Sequence, residues 1–351
     1  MPERFTRCSE YPFGRLADGR SARRYLLRGA CGLEASVTDY GAALTHLILP
    51  DGSGHRVDVI LGFNDLATYA RHPNYFGAIA GRVAGRIPRG RFALAGKDYQ
   101  LATNHPPNHL HGGAVGFDKK IWKLVSADAD TPAVTLAYES PDGEEGYPGR
   151  VRAEVAYRIL HHRTLEIEER VVSDTVTPVN LTQHGYFNLA GEGGGDALDH
   201  ELTVFSDTYV PCDRDMTPTG RMETVAGTAA DFRGARRLRD AIPELFQRHG
   251  DLYRIRDADG VALLPAARLA HPASGRVMEV RTTHRFLQFY TGVDLDGSFV
   301  GKSGCVYGPH AGVCLECEGY PDAVHHPGID DILVQPGQPL IRRTHYVFEE
   351  R

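Results

Sequence analysis

Residues 151–171 constrain the fold of this chain more than any other stretch. In VRAEVAYRI (151–159), Val151, Ala153, Val155, Tyr157 and Ile159 fall on one face, with Arg152, Glu154 and Arg158 on the other. After an interruption at HHRT (161–164), Leu165, Ile167 and Val171 alternate with Glu166, Glu168 and Arg170. A period of two belongs to a strand, and apolar residues on one face only mean that the other face is wet. The pair predicts an antiparallel hairpin lying over a core. Similar β-rich runs occur at 34–49, 56–62, 92–101, 133–138, 202–210 and 277–293, and 39 Gly and 21 Pro punctuate them with turns. Helix is scarce. The best candidate, RLRDAIPELFQR (237–248), carries Pro243 inside it and so must be short or broken. This pattern predicts an all-β fold, a sandwich or a barrel. No linker, composition shift or fixed-period repeat divides the chain, so residues 1–351 are read as a single domain.

The formal net charge of −6 weighs against nucleic acid or an anionic membrane as the main partner. No run approaches the ~18 apolar residues of a membrane helix. The opening MPERFTRCSEYPFGRL has no apolar stretch long enough for a secretory leader. Six cysteines (8, 31, 212, 305, 314, 317) in so long a chain are no disulfide scaffold. A soluble, reduced, cytoplasmic protein is expected.

Four stretches carry more polar chemistry than a β scaffold needs. In GRVAGRIPRGRF (81–92), extended geometry puts Arg82 and Arg86 on one face and Arg89 and Arg91 on the other. No aromatic ladder accompanies them, so nucleic-acid binding is not indicated. What remains is a solvated loop or an arginine aimed at an oxygen-rich ligand. NHPPNHLHGG (104–113) brings His105, His109 and His111 close in sequence, as either a metal site or a rigid binding loop. In VNLTQHGYFNLAG (179–191), Asn180, Thr182 and His184 share a strand face, which is either a polar pocket wall or a satisfied interior histidine.

The fourth, GVCLECEG (312–319), holds a C-x-x-C spacing. On a strand, Cys314 and Glu316 look one way, and Leu315 and Cys317 the other. The thiols therefore diverge, and no second pair exists to complete a zinc site. They read as small core fillers around one presented carboxylate.

Together these segments resemble the aldose 1-epimerase (galactose mutarotase) family. LGFNDLATYARHPNYFGAIAGRVAGRI, NHLHGG, SPDGEEGYPG, VNLTQHGYFNLAG, PTG (218–220), LQFYTGVDLDG and CLECEGYPDA are similar to its signature regions in order and spacing, from about residue 10 to 348. The resemblance implies one large β-sandwich of the galactose mutarotase-like supersandwich type with an open sugar groove. It also implies a cofactor-free, metal-free isomerase that interconverts the α and β anomers of a free aldose. By motif, Glu316 corresponds to the catalytic base and His184 to the acid. Arg86 and His111 correspond to sugar-oxygen contacts, and Gln288 to a groove residue. Asp251, in HGDLYRI, is the nearest match to the family's substrate-binding aspartate, without the histidine that usually follows it. Gly85 stands where an asparagine usually precedes the arginine. Gln183 and Gly185 replace an asparagine and a serine around His184, and Cys317-Glu318-Gly319 replaces a Thr-Gln-His run.

Anomer inversion needs a base for the C1 hydroxyl proton and an acid for the ring oxygen, and a carboxylate and a histidine suit that work near neutral pH. Glu316 is expected to be ionised and His184 at least partly protonated, with a sugar ring between them. Arg86 and His111 would stabilise charge on oxygen. Neither a G-x-G-x-x-G between strand and helix nor a P-loop is present, and GEGGG (191–195) reads as a loop, so no cofactor is expected. The expected partner is a small-molecule sugar, and the expected state a monomer or weak dimer. Three alternatives stand beside this reading. One is a non-catalytic carbohydrate-binding protein, which could lose the acid or the base. Another is a relative acting on a phosphorylated or specialised sugar, which should show an arginine cluster in the groove; the run Arg233, Arg236 and Arg237 reads instead as solvated surface. The last is a metalloenzyme using His105, His109, His111, His325 or His326 with Cys314 or Cys317.

Overall fold

The computed structural model describes residues 7–50, 54–128, 130–161 and 163–350. Residues 1–6, read as free of a leader, and His162 of the HHRT interruption lie outside the described residues. The 151–171 alternation becomes the antiparallel pair Val151–Leu160 and Thr164–Ser173. They sit within a nine-stranded sheet. Its order runs Lys123–Asp128, Ala133–Ser140, the hairpin, Leu340–Glu350, Arg276–Thr282, Leu264–His271, Glu201–Val204 and Arg236–Arg237. Two five-stranded antiparallel sheets pack on it. One is an N-terminal meander from Cys8 to Asp58. The other is ordered Glu223–Thr224, Thr208–Val210, Leu252–Arg254, Phe286–Tyr290 and Cys314–Glu318.

A single apolar cluster joins the three sheets. It contains Val151, Val155, Tyr157, Leu165 and Ile167 of the hairpin, Leu27, Val37 and Leu47 of the meander, and Leu287, Phe289, Leu315 and Cys317 of the third sheet. Each fully buried aliphatic side chain there contributes roughly 1.5–3 kcal/mol. The fold is the expected all-β sandwich. Among the described residues helix is limited to short segments, and Pro243 does break the 237–248 segment, into Leu238–Ala241 and the 3-10 turns Ile242–Glu244 and Phe246–Arg248.

Two sequence runs turn out to cross between layers. Residues 202–210 leave the nine-stranded sheet at Val204 and enter the third sheet at Thr208; residues 277–293 do the same between Thr282 and Phe286. Two inward positions of the hairpin, Glu169 and Ser173, are polar. Glu169 is buried, and its Oε2 lies 3.4 Å from Nε2 of His284.

Candidate active site

Strand Cys314–Glu318 pairs with Phe286–Tyr290 in the register Tyr290–Cys314, Gln288–Glu316, Phe286–Glu318. Leu315 and Cys317 point into the core, whereas Glu316 and Glu318 line a cavity of about 650 Å3 on the opposite face. That volume is in the ordinary range for a small-molecule site. Cys314 faces the same way, its Sγ 3.7 Å from His184 Nδ1. The two thiols of the C-x-x-C diverge as expected, and all six cysteines are free.

The 179–184 segment fixes that strand from the side. Asn180 brackets Gly319: its Oδ1 accepts from the Gly319 N–H at 2.7 Å and its Nδ2 donates to the Gly319 carbonyl at 3.1 Å. The Thr182 hydroxyl donates to the Cys317 carbonyl at 2.9 Å. These two residues are therefore not pocket wall, one of the two sequence readings, but clamps on the strand carrying Glu316. His184 alone of the three reaches the cavity. Its Nε2 lies 3.6 Å from Glu316 Oε2. Tyr75 stacks on its ring at 5.6 Å, and the Tyr186 ring sits 5.1 Å away. No sugar ring fits between groups this close, so the expected arrangement, substrate between acid and base, is replaced by acid and base side by side.

This corner is buried, and burial suppresses the expected charges. Burial pushes the Glu316 carboxyl up to about 8, partly opposed by the Arg86 charge. Burial likewise pushes the His184 imidazole down to about 4. Both groups are driven toward their neutral forms, so the pair holds one proton across the neutral range.

His111 approaches from the NHLHGG loop. Its Nδ1 accepts the Gly85 N–H at 3.2 Å, so the neutral ring carries its proton on Nε2. Burial and the neighbouring His184 keep it neutral. The loop lies directly on the chain at Gly81, where a Cβ on Gly112 would fall 1.7 Å from the Gly81 carbonyl oxygen. Glu145 of SPDGEEGYPG holds its far end, accepting from the N–H groups of Ala114 at 3.0 Å and Val115 at 2.9 Å.

Arg82 and Arg86 do not share a face, because the backbone turns at Gly85 (φ +73°). Arg82 is buried in a cage of carbonyls, donating to Pro148 at 2.9 Å and Gly149 at 3.0 Å. Arg86 lines the cavity and, among the described residues, makes no ion pair. Gln288 lines it as well. Asp251 does not: it is buried outside the lining, its carboxyl pushed up to about 6 by burial. His249, two residues earlier, takes a place in the wall, with its ring 4.6 Å from that of Tyr290. Asp294 is in the wall too, accepting from the Tyr290 hydroxyl at 3.0 Å. Sequence reading missed both, along with Tyr75, although each lies in or beside a quoted motif.

The sequence-adjacent histidines do not converge on a metal. His109 is occupied by the Ala102 carbonyl at 2.6 Å and the Tyr147 hydroxyl at 2.7 Å. His325 and His326 both approach Asp322. Among the described residues, His111, His184 and Glu316 are the group whose ligand atoms lie within 4.8 Å of one another. A metal on His111 Nε2 would need the ring proton on Nδ1, where the Gly85 N–H already points, so the donor set fits a metal poorly. The Arg233, Arg236 and Arg237 run pairs with Asp231, Glu244 and Asp199, away from the cavity.

Fold and site together define a β-sandwich protein with a small-molecule groove whose floor carries a carboxyl–imidazole pair. Residues 23–347 match the aldose 1-epimerase family. The chain is 41% identical over 343 residues to galactose mutarotase of Rattus norvegicus, covering 96% of this chain and 97% of the relative. It is 33% identical to aldose 1-epimerase of Escherichia coli, covering 94% and 96%. The solved structure of galactose 1-epimerase from Lactobacillus acidophilus superposes with a TM-score of 0.84 at 27% identity, covering 99% of both chains. The chain belongs to the aldose 1-epimerase family and is an isomerase. No helix among the described residues is long and apolar enough to cross a membrane.

Proposed function

We propose that this chain is a mutarotase that opens and recloses the ring of a free aldose, with Glu316 and His184 as its proton-transfer pair. The observation that carries the reading is their contact at 3.6 Å in a buried corner of the cavity. The C1 hydroxyl and the ring oxygen are both bonded to C1, so a base for one and an acid for the other must lie side by side. With the pair's one proton on His184, Glu316 takes the C1 hydroxyl proton as the bond from C1 to the ring oxygen breaks. His184 delivers a proton to that oxygen, giving the open-chain aldehyde. After rotation about C1–C2 the steps reverse on the other carbonyl face. Because the pair holds one proton, it can act in this direction or, with the proton on the other partner, in the reverse one.

His111 offers an Nε2–H donor, and the unpaired Arg86 a cation, to oxygens on which charge develops. Gln288 offers an amide in register beside Glu316. The proposed setting is the cytoplasm, the proposed state a monomer or weak dimer, and no cofactor is assigned. The test is NMR exchange between anomers of α-glucose, α-galactose and other aldoses. Accelerated exchange with at least one sugar is expected; none with any sugar would favour a non-catalytic binding protein.

A further inference from the structure

Glu318 lies two residues beyond Glu316 on the same strand face and lines the same cavity. It is 1% exposed. Among the described residues no group hydrogen-bonds or ion-pairs with its carboxyl, and Oε2 is buried without a partner. A buried polar group without a partner destabilises the free protein, so its presence calls for a reason. The surroundings make room for it. Gly85, with φ +73°, stands beside it: a Cβ there would fall 3.7 Å from Glu318 Oε2 and 2.4 Å from Pro321 Cγ. Any side chain at 85 would collide with Pro321. Burial, opposed by the Arg86 charge, holds Glu318 toward its neutral form, a group that both donates and accepts.

We infer that Glu318 is a specificity-determining residue that hydrogen-bonds one ring hydroxyl of the aldose, distinct from the C1 oxygen on which Glu316 acts. This rests on the mutarotase reading of the site. In that role the missing partner is the substrate, and the carboxyl discriminates between sugars by whether they present a hydroxyl at that point. A site built to bond a hydroxyl rejects the analogue that lacks it, because the protein group is then left buried and unpaired.

Glu318→Met tests this. It keeps the chain length and removes both oxygens, and since those oxygens have no partner in the free protein, the melting temperature should hold or rise. kcat/KM for anomer exchange is measured by NMR for the parent protein and the variant, on the best aldose and on its 2-, 3-, 4- and 6-deoxy derivatives. The variant should lose on the order of 10- to 100-fold on the parent sugar. On one deoxy sugar, the one missing the contacted hydroxyl, the two proteins should agree within about threefold, while the other deoxy sugars keep the full loss. An equal loss on every sugar, or no loss on any, overturns the inference. Should Glu318→Met fold poorly, Glu318→Leu is read against the same panel with the same two outcomes. Parent protein inactive on every aldose would instead refute the mutarotase reading itself.

Discussion

The protonation of the buried pair predicts an unusual pH profile for kcat/KM, which reports the free enzyme. The active form carries one proton on Glu316 and His184 together. With the imidazole held down to about 4 and the carboxyl pushed up to about 8, that form persists from about pH 4 to about 8. The sign follows from each group. Below the lower limit both are protonated and no base remains; above the upper limit both are unprotonated and no acid remains. Unperturbed groups would give a much narrower window, from about 4.3 to 6.5. The two cases separate between pH 5.5 and 7.5. An unperturbed pair would lose about tenfold over that interval, whereas the buried pair should lose less than about twofold. Beyond pH 8 each further unit should cost about tenfold. Polarimetry of freshly dissolved α-glucose, with the uncatalysed rate subtracted at each pH, reads this directly. A fall of about tenfold between pH 5.5 and 7.5 would refute the claim that desolvation sets the charge of this pair.

Other consequences follow from the same geometry. His184→Asn should lower kcat/KM by about 10²–10⁴-fold, and adding Glu316→Gln to it should cost little more, since the two act as one unit; steady-state rates of the single and double variants check this. The Lys302 side chain is buried and donates at 2.7 Å to the Thr45 carbonyl, the Ile60 carbonyl and Asp58. Lys302→Met strands the Asp58 charge and should destabilise by about 3–5 kcal/mol, read from the urea midpoint. Dialysis against EDTA should leave the rate unchanged, because His111 presents a protonated Nε2 to the cavity; a loss restored only by added zinc would contradict that tautomer.

The strands were legible where one face is wet, as in Val151–Leu160, because alternation there reflects burial directly. The crossings at 205–207 and 283–285 were not, since both sheets bury their inward faces in the same core and the alternation is the same on either side. Glu316 could be located because strand geometry separates it from Leu315 and Cys317 whatever the partner strand is. His184 was legible by motif, but the role of its neighbours Asn180 and Thr182 stayed open between pocket wall and interior. Period two gives the face and not the partner, and their partners are the Cys317 and Gly319 backbone some 135 residues away. The charge states were illegible for a related reason. Desolvation depends on Tyr75 and Tyr186 closing over His184, and those contacts are made only in the fold. Glu318 was visible in sequence only as a departure; its lack of any partner is what gives it meaning.

Whether the Glu316–His184 pair inverts anomers is decided by NMR exchange on Glu316→Gln. The amide keeps size and hydrogen-bonding shape but cannot take the C1 hydroxyl proton. Catalysed exchange should fall by about 10²–10⁴-fold while the circular dichroism spectrum is unchanged. Exchange within a few-fold of the parent protein, on the same sugar at the same pH, would contradict it.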